Sequence, residues 1–492
     1  MAFAITQTCC TDATCVSVCP VNCIHPTPDE PDFGRTDLLY IDPDTCIDCG
    51  ACADACPVDA IFPAGELTGP LRAYEEINAE YYAGRDVLAQ ATVAPNFHRW
   101  SPPSFGRVLP SDFAPLDVAV VGTGPAGMYA VEDLLLHTNA RVTLVDRLPV
   151  AGGLIRFGVA PDHPSTKKIG ETFARFHDHP RLRLRLGVSA GPGLAARHDA
   201  VIYAVGATQP RRLGVPGEDL PGSLPAATVV GWYNGHPDVG PDAVDLSADR
   251  VVVVGTGNVA LDIARILTAE PAALAGTSIA PEALTRLRSG KVREVVLLAR
   301  RGPETAAYTR PELLALAARG DLVLDAHDPR IAAAIDSAAA GEKAAWLRGV
   351  LREKVDWSAP PPDGRRRVVL RFHSTPLAFT GDAEVRGVRA SGPDGEVEIV
   401  AGRVVRAAGF RGAPVPGLPF DEETGTVPNA AGRVPGLPGV YVAGWIKRGP
   451  SGGIGANKAC ARETVGTLLE DAVAGRLPVR RRGAAARLFG RG

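Results

Sequence analysis

The chain has 492 residues, 46% of them apolar, with 52 basic and 55 acidic side chains for a net charge of −3. That length suggests about three domains with ample cores; no run of about eighteen residues is free of polar interruption, so no membrane span is expected, and no nucleic-acid partner is expected either. The start, Met1 to Gln7, lacks the basic and apolar regions of a signal peptide, and nine of the ten cysteines fall in residues 1–63, which together predict a reducing cytoplasm.

Those cysteines form one pattern written twice. The first copy is Cys9-x2-Asp12-x2-Cys15-x3-Cys19-Pro20, and the second is Cys46-x2-Cys49-x2-Cys52-x3-Cys56-Pro57. The second copy has the ligand spacing of bacterial iron–sulfur ferredoxins: three thiolates wrap one cluster, and the fourth, before the proline, ligates the other. On this logic Cys46, Cys49, Cys52 and Cys19 hold a [4Fe–4S] cluster, and Cys9, Cys15 and Cys56 hold a second. At the second site Asp12 either supplies an oxygen ligand to a four-iron cluster or leaves the corner empty, giving [3Fe–4S]. Cys10 adjoins Cys9 and diverges from it; Cys23 reads as an unligated core cysteine. Zinc would need compact ligand pairs and explains neither proline nor repeat. Disulfides do not suit a chain without a secretory signal.

Residues 1–63 carry ten acidic side chains and one basic, Arg35, against 45 acidic and 51 basic in the remainder. Electrostatic docking of an acidic module on a basic body is one reading; simple solubilisation of the module is the other. Residues 64–115 read as a linker with one short helix around Tyr74–Tyr82. Beyond it the pattern becomes apolar strand, glycine turn and helix, which predicts an α/β body with parallel sheets.

Asp117 to Val121 is a buried-strand run that enters Gly122-Thr123-Gly124-Pro125-Ala126-Gly127 and a helix. Such a turn brings backbone amides and a helix N-terminus to a pyrophosphate. The next strand ends in Asp146, an acid suited to an adenosine ribose and unsuited to a 2′-phosphate, so FAD or NAD fits and NADP does not. The device recurs at Val251–Val254 and Gly255-Thr256-Gly257-Asn258-Val259-Ala260. There the following strand, Glu294 to Ala299, ends in Arg300-Arg301. Two guanidinium groups in place of the acid select NADP. An insert at about 268–292 departs from a minimal βαβ unit.

Further segments run from Gly153 to His163, Gly231 to Gly235, Gly257 to Asp262, Arg300 to Pro303 and Gly444 to Gly452. On these the body resembles the adrenodoxin-reductase-like ferredoxin–NADP(+) reductases, and the whole chain resembles their actinobacterial form with an N-terminal ferredoxin module. The resemblance implies an α/β body of two Rossmann-like domains preceded by a small α+β two-cluster domain. It divides the chain into a ferredoxin domain (1–63), the linker (64–115), a discontinuous FAD domain (116–210 and 411–492) and an inserted NADP domain (211–410). It implies that Asp146 and Leu154 contact the FAD adenosine and pyrophosphate. Trp445, Gly452, Gly453 and Ile454 would line the flavin, with Ala190 among the cofactor-binding positions. Asn258, Arg300, Arg301 and Glu312 would hold NADP, and His163 and Asp262 would form a polar pair near the isoalloxazine. Asp146 stands where the family more usually has glutamate.

The sequence therefore predicts a ferredoxin–NADP(+) reductase that moves electrons between NADPH and an external ferredoxin or other one-electron acceptor. The rival within the class is the electron-input subunit of a larger oxidoreductase such as glutamate synthase. A disulfide reductase would need a cysteine pair beside the flavin, which Cys460 alone cannot supply. A non-enzymatic carrier whose nucleotide domains only scaffold the clusters is the remaining alternative. The run Arg480-Arg481-Arg482 reads as a solvated tail, or as a contact for an acidic ferredoxin.

Overall fold

The computed structural model describes residues 2–83, 109–110, 112–191, 193–318, 321–339, 341–364 and 366–478. The Arg480–Arg482 run and half of the linker, 84–108 and 111, lie outside the described residues. The chain divides into two compact units. One comprises Met1–His98, Phe157–Lys168 and Pro210–Gly409; the other comprises Arg99–Arg156, Ile169–Gln209 and Phe410–Gly492.

In the second unit five strands form a parallel sheet in the order Val440–Val442, Ala200–Tyr203, Asp117–Val121, Arg141–Val145, Leu182–Arg185. Burial on both faces explains why Val118 to Val121 read as a continuous apolar run. The helix Pro125–His137 follows the first glycine turn, and the helix Ala456–Val473 packs against it.

The first unit has a seven-stranded parallel sheet in the order Ser223–Pro225, Arg403–Arg406, Arg250–Val254, Glu294–Leu298, Arg367–Arg371, Asp321–Asp325, Leu351–Glu353. Alternate residues face opposite layers. Val251, Val253, Val295 and Leu297 meet the helices, among them Asn258–Thr268. Val252, Val254, Val296 and Leu298 meet a three-stranded antiparallel sheet, Thr375–Thr380, Gly387–Gly392, Gly395–Val400. The insert at 268–292 forms two helices, Pro271–Leu274 and Pro281–Ser289, whose Leu274, Ala283 and Leu287 join the helical layer.

The cysteine module belongs to the first unit, and its repeat is structural as well as sequential. Helices Thr14–Val18 and Ala51–Ala55 each start from a left-handed residue, Ala13 (φ 60°) and Gly50 (φ 72°). Each ends on a cysteine, Cys19 or Cys56, with φ −73° and ψ 117°. Antiparallel pairs join Phe3–Ile5 to Ile61–Pro63 and Ile24–His25 to Tyr40–Ile41.

Residues expected to begin the linker form a 3-10 turn, Gly69–Arg72, and a helix, Ala73–Tyr82, that covers both strand pairs. Asn78 is the reason: its Oδ1 accepts from the amides of Ile5 (3.1 Å) and Ile41 (2.9 Å), and its Nδ2 donates to the Ile5 carbonyl (2.9 Å). Tyr82 donates to the Tyr40 carbonyl at 2.6 Å. One buried amide thus satisfies strand-edge groups that would otherwise be orphaned. The helix was foreseen; its place in the module's core was not, because a single asparagine carries no periodic signal.

Candidate functional site

The two cysteine groups assemble across the repeat. Cys9, Cys10, Asp12, Cys15 and Cys56 line one small cavity with Ile5, Leu39, Val58, Ala60 and Ile61, so Cys10, expected to diverge from Cys9, shares that cavity with it. Cys19, Cys46, Cys49 and Cys52 form the other neighbourhood, joined by Cys23, whose sulfur lies 3.4 Å from that of Cys19. Among the described residues, no three cysteine sulfurs lie within 4.8 Å of one another. Burial pushes the Cys9 and Cys52 thiols up to about 11, neighbouring cysteines adding to it. The thiolates needed as ligands are therefore forms that a metal charge must stabilise. Asp12 is engaged at its own helix start: its carboxylate accepts from the Thr14 hydroxyl and, at 3.4 Å, from the Thr14 amide.

In the second unit, a Cβ on Gly122 (φ 107°) would collide with the Ala204 carbonyl, and one on Gly153 would stand 2.7 Å from the Gly124 Cα. The turn is close-packed glycine because nothing larger fits. Helix Pro125–His137 begins at Gly124 with no side-chain cap, leaving first-turn amides such as those of Ala126 and Gly127 to a phosphate. Asp146 ends its strand as expected. Its Oδ2 accepts from the Thr123 amide (2.8 Å) and hydroxyl (2.6 Å), and its Oδ1 from the Leu148 amide (2.9 Å). Three donors fix the carboxylate, and carboxylate oxygens retain lone pairs for a ribose. Leu154 is a large apolar side chain left 47% exposed. Trp445 Nε1 donates to the carbonyls of Ser451 (3.1 Å) and Gly452 (3.3 Å), which ties the indole to the Gly452–Ile454 loop. Ala190 packs at the edge of the sheet's core. These features fit a dinucleotide laid over the turn.

In the first unit, Gly255 (φ 129°) occupies the matching place; a Cβ there would stand 2.6 Å from the Ala407 carbonyl oxygen. Helix Asn258–Thr268 starts at Gly257, again without a side-chain cap, with Asn258 and Val259 in its first turn. Asn258 Oδ1 accepts from the Thr309 amide at 2.9 Å. Arg300 and Arg301 follow the strand Glu294–Leu298, and both are exposed. Neither guanidinium has a hydrogen bond or ion pair among the described residues, so both can meet an anion.

The remaining polar residues converge on a side chain that belongs to none of the motifs. Arg265, 1% exposed, donates to both oxygens of Asp162 (2.9 and 3.0 Å), to Glu312 (3.0 Å) and to Asp262 (2.7 Å). Its Nη2 also lies 2.9 Å from His163 Nε2. Guanidinium can only donate, so Nε2 accepts and the proton of a neutral His163 sits on Nδ1, which faces Glu312 Oε1 at 3.8 Å. His163 and Asp262 are thus brought together through Arg265. Glu312 belongs to the same cluster. Burial, then the Asp262 charge, pushes its carboxyl up to about 8, with Arg265 opposing. Burial and the neighbouring Asp262 thus favour a proton on the Glu312 carboxyl. The signal for Arg265 was its place amid Ala260, Leu261, Ile263, Ala264, Ile266 and Leu267, all buried on one helix. A cation there needs buried carboxylates, and Asp262 is three residues away.

The pattern of a 4Fe-4S binding domain matches residues 39–62, and that of a pyridine nucleotide-disulphide oxidoreductase matches residues 116–302. A Mycobacterium tuberculosis protein named "Probable ferredoxin/ferredoxin--NADP reductase" is 47% identical over 491 residues, covering 97% of this chain and 85% of that protein. The chain belongs to the ferredoxin/ferredoxin–NADP reductases. It is accordingly an oxidoreductase that joins an NADP-dependent flavoprotein body to an iron–sulfur domain. Human mitochondrial NADPH:adrenodoxin oxidoreductase is 37% identical over 414 residues, 77% of this chain and 83% of that one. The solved structure of Mycobacterium tuberculosis FprA in complex with NADPH has a TM-score of 0.66 at 40% identity, over 74% of this chain and 87% of that chain. The expected family and fold class hold. No helix among the described residues is long and apolar enough to cross a membrane.

Proposed function

We propose that this reductase passes electrons between NADPH and one-electron carrier proteins of the cytoplasm, using FAD and two iron–sulfur clusters of its own. The observation that carries the reading is the pair Arg300-Arg301, unpartnered at a strand end beside a glycine turn, in a chain whose first residues present two cysteine groups. FAD supplies the chemistry that accepts a hydride and gives up electrons singly. The residues of the chain bind and orient. Arg300 and Arg301 hold the 2′-phosphate, Asn258 and the amides after Gly257 hold the rest of NADP, and Asp146 and the amides after Gly124 hold FAD. His163 keeps its proton on Nδ1 and Glu312 keeps one on its carboxyl, both steadied by Arg265. Cys19, Cys46, Cys49 and Cys52 ligate a [4Fe–4S] cluster. Cys9, Cys15 and Cys56 ligate a [3Fe–4S] cluster, a reading supported by the commitment of Asp12 to the Thr14 turn. Anaerobic titration with NADPH, followed by visible absorption and EPR, tests the whole. Bleaching of flavin absorbance and the appearance of reduced-cluster signals are expected. NADPH that reduces neither would overturn the reading.

A further inference from the structure

The helix Arg310–Ala317 serves two neighbourhoods at once. Glu312, in its first turn, holds Arg265. Leu313 and Leu316 are buried under the seven-stranded sheet. Leu314 instead packs against the cysteine module's own core of Ala4, Leu38, Leu67, Tyr74 and Ile77. The N-cap residue, Thr309, makes no side-chain cap. Two backbone amides at this end are held from different parts of the unit. The Thr309 amide goes to Asn258 Oδ1, beside the second glycine turn (2.9 Å), and the Arg310 amide goes to Asp37 Oδ2, in the cysteine module (3.1 Å). Arg310 also pairs with Glu80 of the module and lies over the Trp346 ring, 5.8 Å from its centroid. A carboxylate at a helix start satisfies an orphan donor and meets the positive end of the helix dipole.

We propose that Asp37 is a positioning residue for the NADP site: it is a helix cap supplied by the iron–sulfur module, it fixes the turn that carries Glu312, and it thereby links docking of the module to binding of NADP(H). The inference rests on the reading of Asn258 and Glu312 as NADP-site residues. Linkage is reciprocal, so whatever tightens the Thr309–Arg310 turn from the nucleotide side also tightens the module's hold on it. The module is then part of the nucleotide site's framework, beyond its role as electron carrier.

The test uses the full-length holoprotein. Asp37→Ala should weaken equilibrium binding of NADP+ about fivefold, the effect of losing one cap, and should speed hydrogen exchange of the amides from Arg310 to Glu312. The maximal rate with NADPH should change less than the affinity, because the bond removed is to the Arg310 amide and the contacts of Arg265 with His163 and Asp262 are left in place. Asp37→Asn, which keeps an oxygen acceptor, should recover most of the affinity. Iron and flavin contents report that module and body remain assembled. Should Asp37→Ala lose iron, Glu80→Gln takes its place: it breaks the Arg310 pair without touching the cap and should weaken NADP+ binding about twofold. Unchanged NADP+ affinity and exchange in the variant that retains iron would overturn the linkage. A wild-type protein that does not bind NADP+ would instead overturn the underlying site.

Discussion

Replacing Arg265 by methionine removes the guanidinium that three carboxyl groups share in one buried cluster. The side chain is 1% exposed and donates to Asp162, Asp262 and Glu312 at distances between 2.7 and 3.0 Å. Breaking a buried ion pair by deleting one partner destabilises by about 3–5 kcal/mol, because the remaining charges are neither solvated nor paired. At about 2–4 °C per kcal/mol for large units, the melting transition of the first unit should fall by roughly 10 °C. The deficit should depend on pH. Glu312 is raised from 4.5 to about 8 in the folded protein, so its proton is bound more tightly there than in the unfolded chain. That contribution is complete below about 4.5 and is lost as pH rises through about 8. Without Arg265 the carboxyl groups hold their protons more tightly still, so the variant should lie nearer to wild type at pH 5 than at pH 8. Glu312→Gln is the control. It cannot ionise, and it should flatten the fall in stability across that interval. Differential scanning calorimetry or circular dichroism melts in buffers from pH 5 to 8 provide the measurement. A deficit below about 1 kcal/mol, or one equal at both ends of the range, would refute the picture of a charged, solvent-excluded cluster.

Arg300→Ala with Arg301→Ala should raise the Michaelis constant for NADPH at least about tenfold and leave that for NADH nearly unchanged. Both guanidinium groups are exposed and unpartnered among the described residues, so on the proposed reading their loss removes only phosphate contacts, each worth about 1.5–3 kcal/mol before solvent screening. Equal losses with both coenzymes would show that the pair supports the fold. Air-purified protein should contain about seven irons per chain, and Asp12→Cys should raise this to about eight and remove a [3Fe–4S] EPR signal. Eight stable irons in the wild type, indifferent to the mutation, would sink that assignment.

What the sequence disclosed and what it withheld divide along a physical line. Local geometry was legible. The second cysteine run, the two glycine turns and the strand-end residues Asp146, Arg300 and Arg301 are each a short segment whose spacing dictates its own shape. The parallel sheets followed from continuous valine runs, because a strand buried on both faces has no polar alternation. Contacts between segments distant in the chain left weaker traces. Arg265 finds Asp162 across 103 residues and Glu312 across 47. Asn78 reaches Ile5 across 73. In each case the readable sign was a polar residue on an otherwise buried helical face, which says that a partner must exist without saying which. The departures from the repeat are the sharpest instance. Asp12 replaces the cysteine that matches Cys49, and Cys23 replaces the position of Ala60. Spacing alone allowed Asp12 to be a ligand and Cys23 to be inert. The folded chain engages the Asp12 carboxylate at the Thr14 helix start and sets Cys23 within 3.4 Å of Cys19. The two halves of the module thus differ in the chemistry they present while sharing one backbone. A repeat fixes where side chains stand, and the substitutions within it decide which redox centre each half can hold.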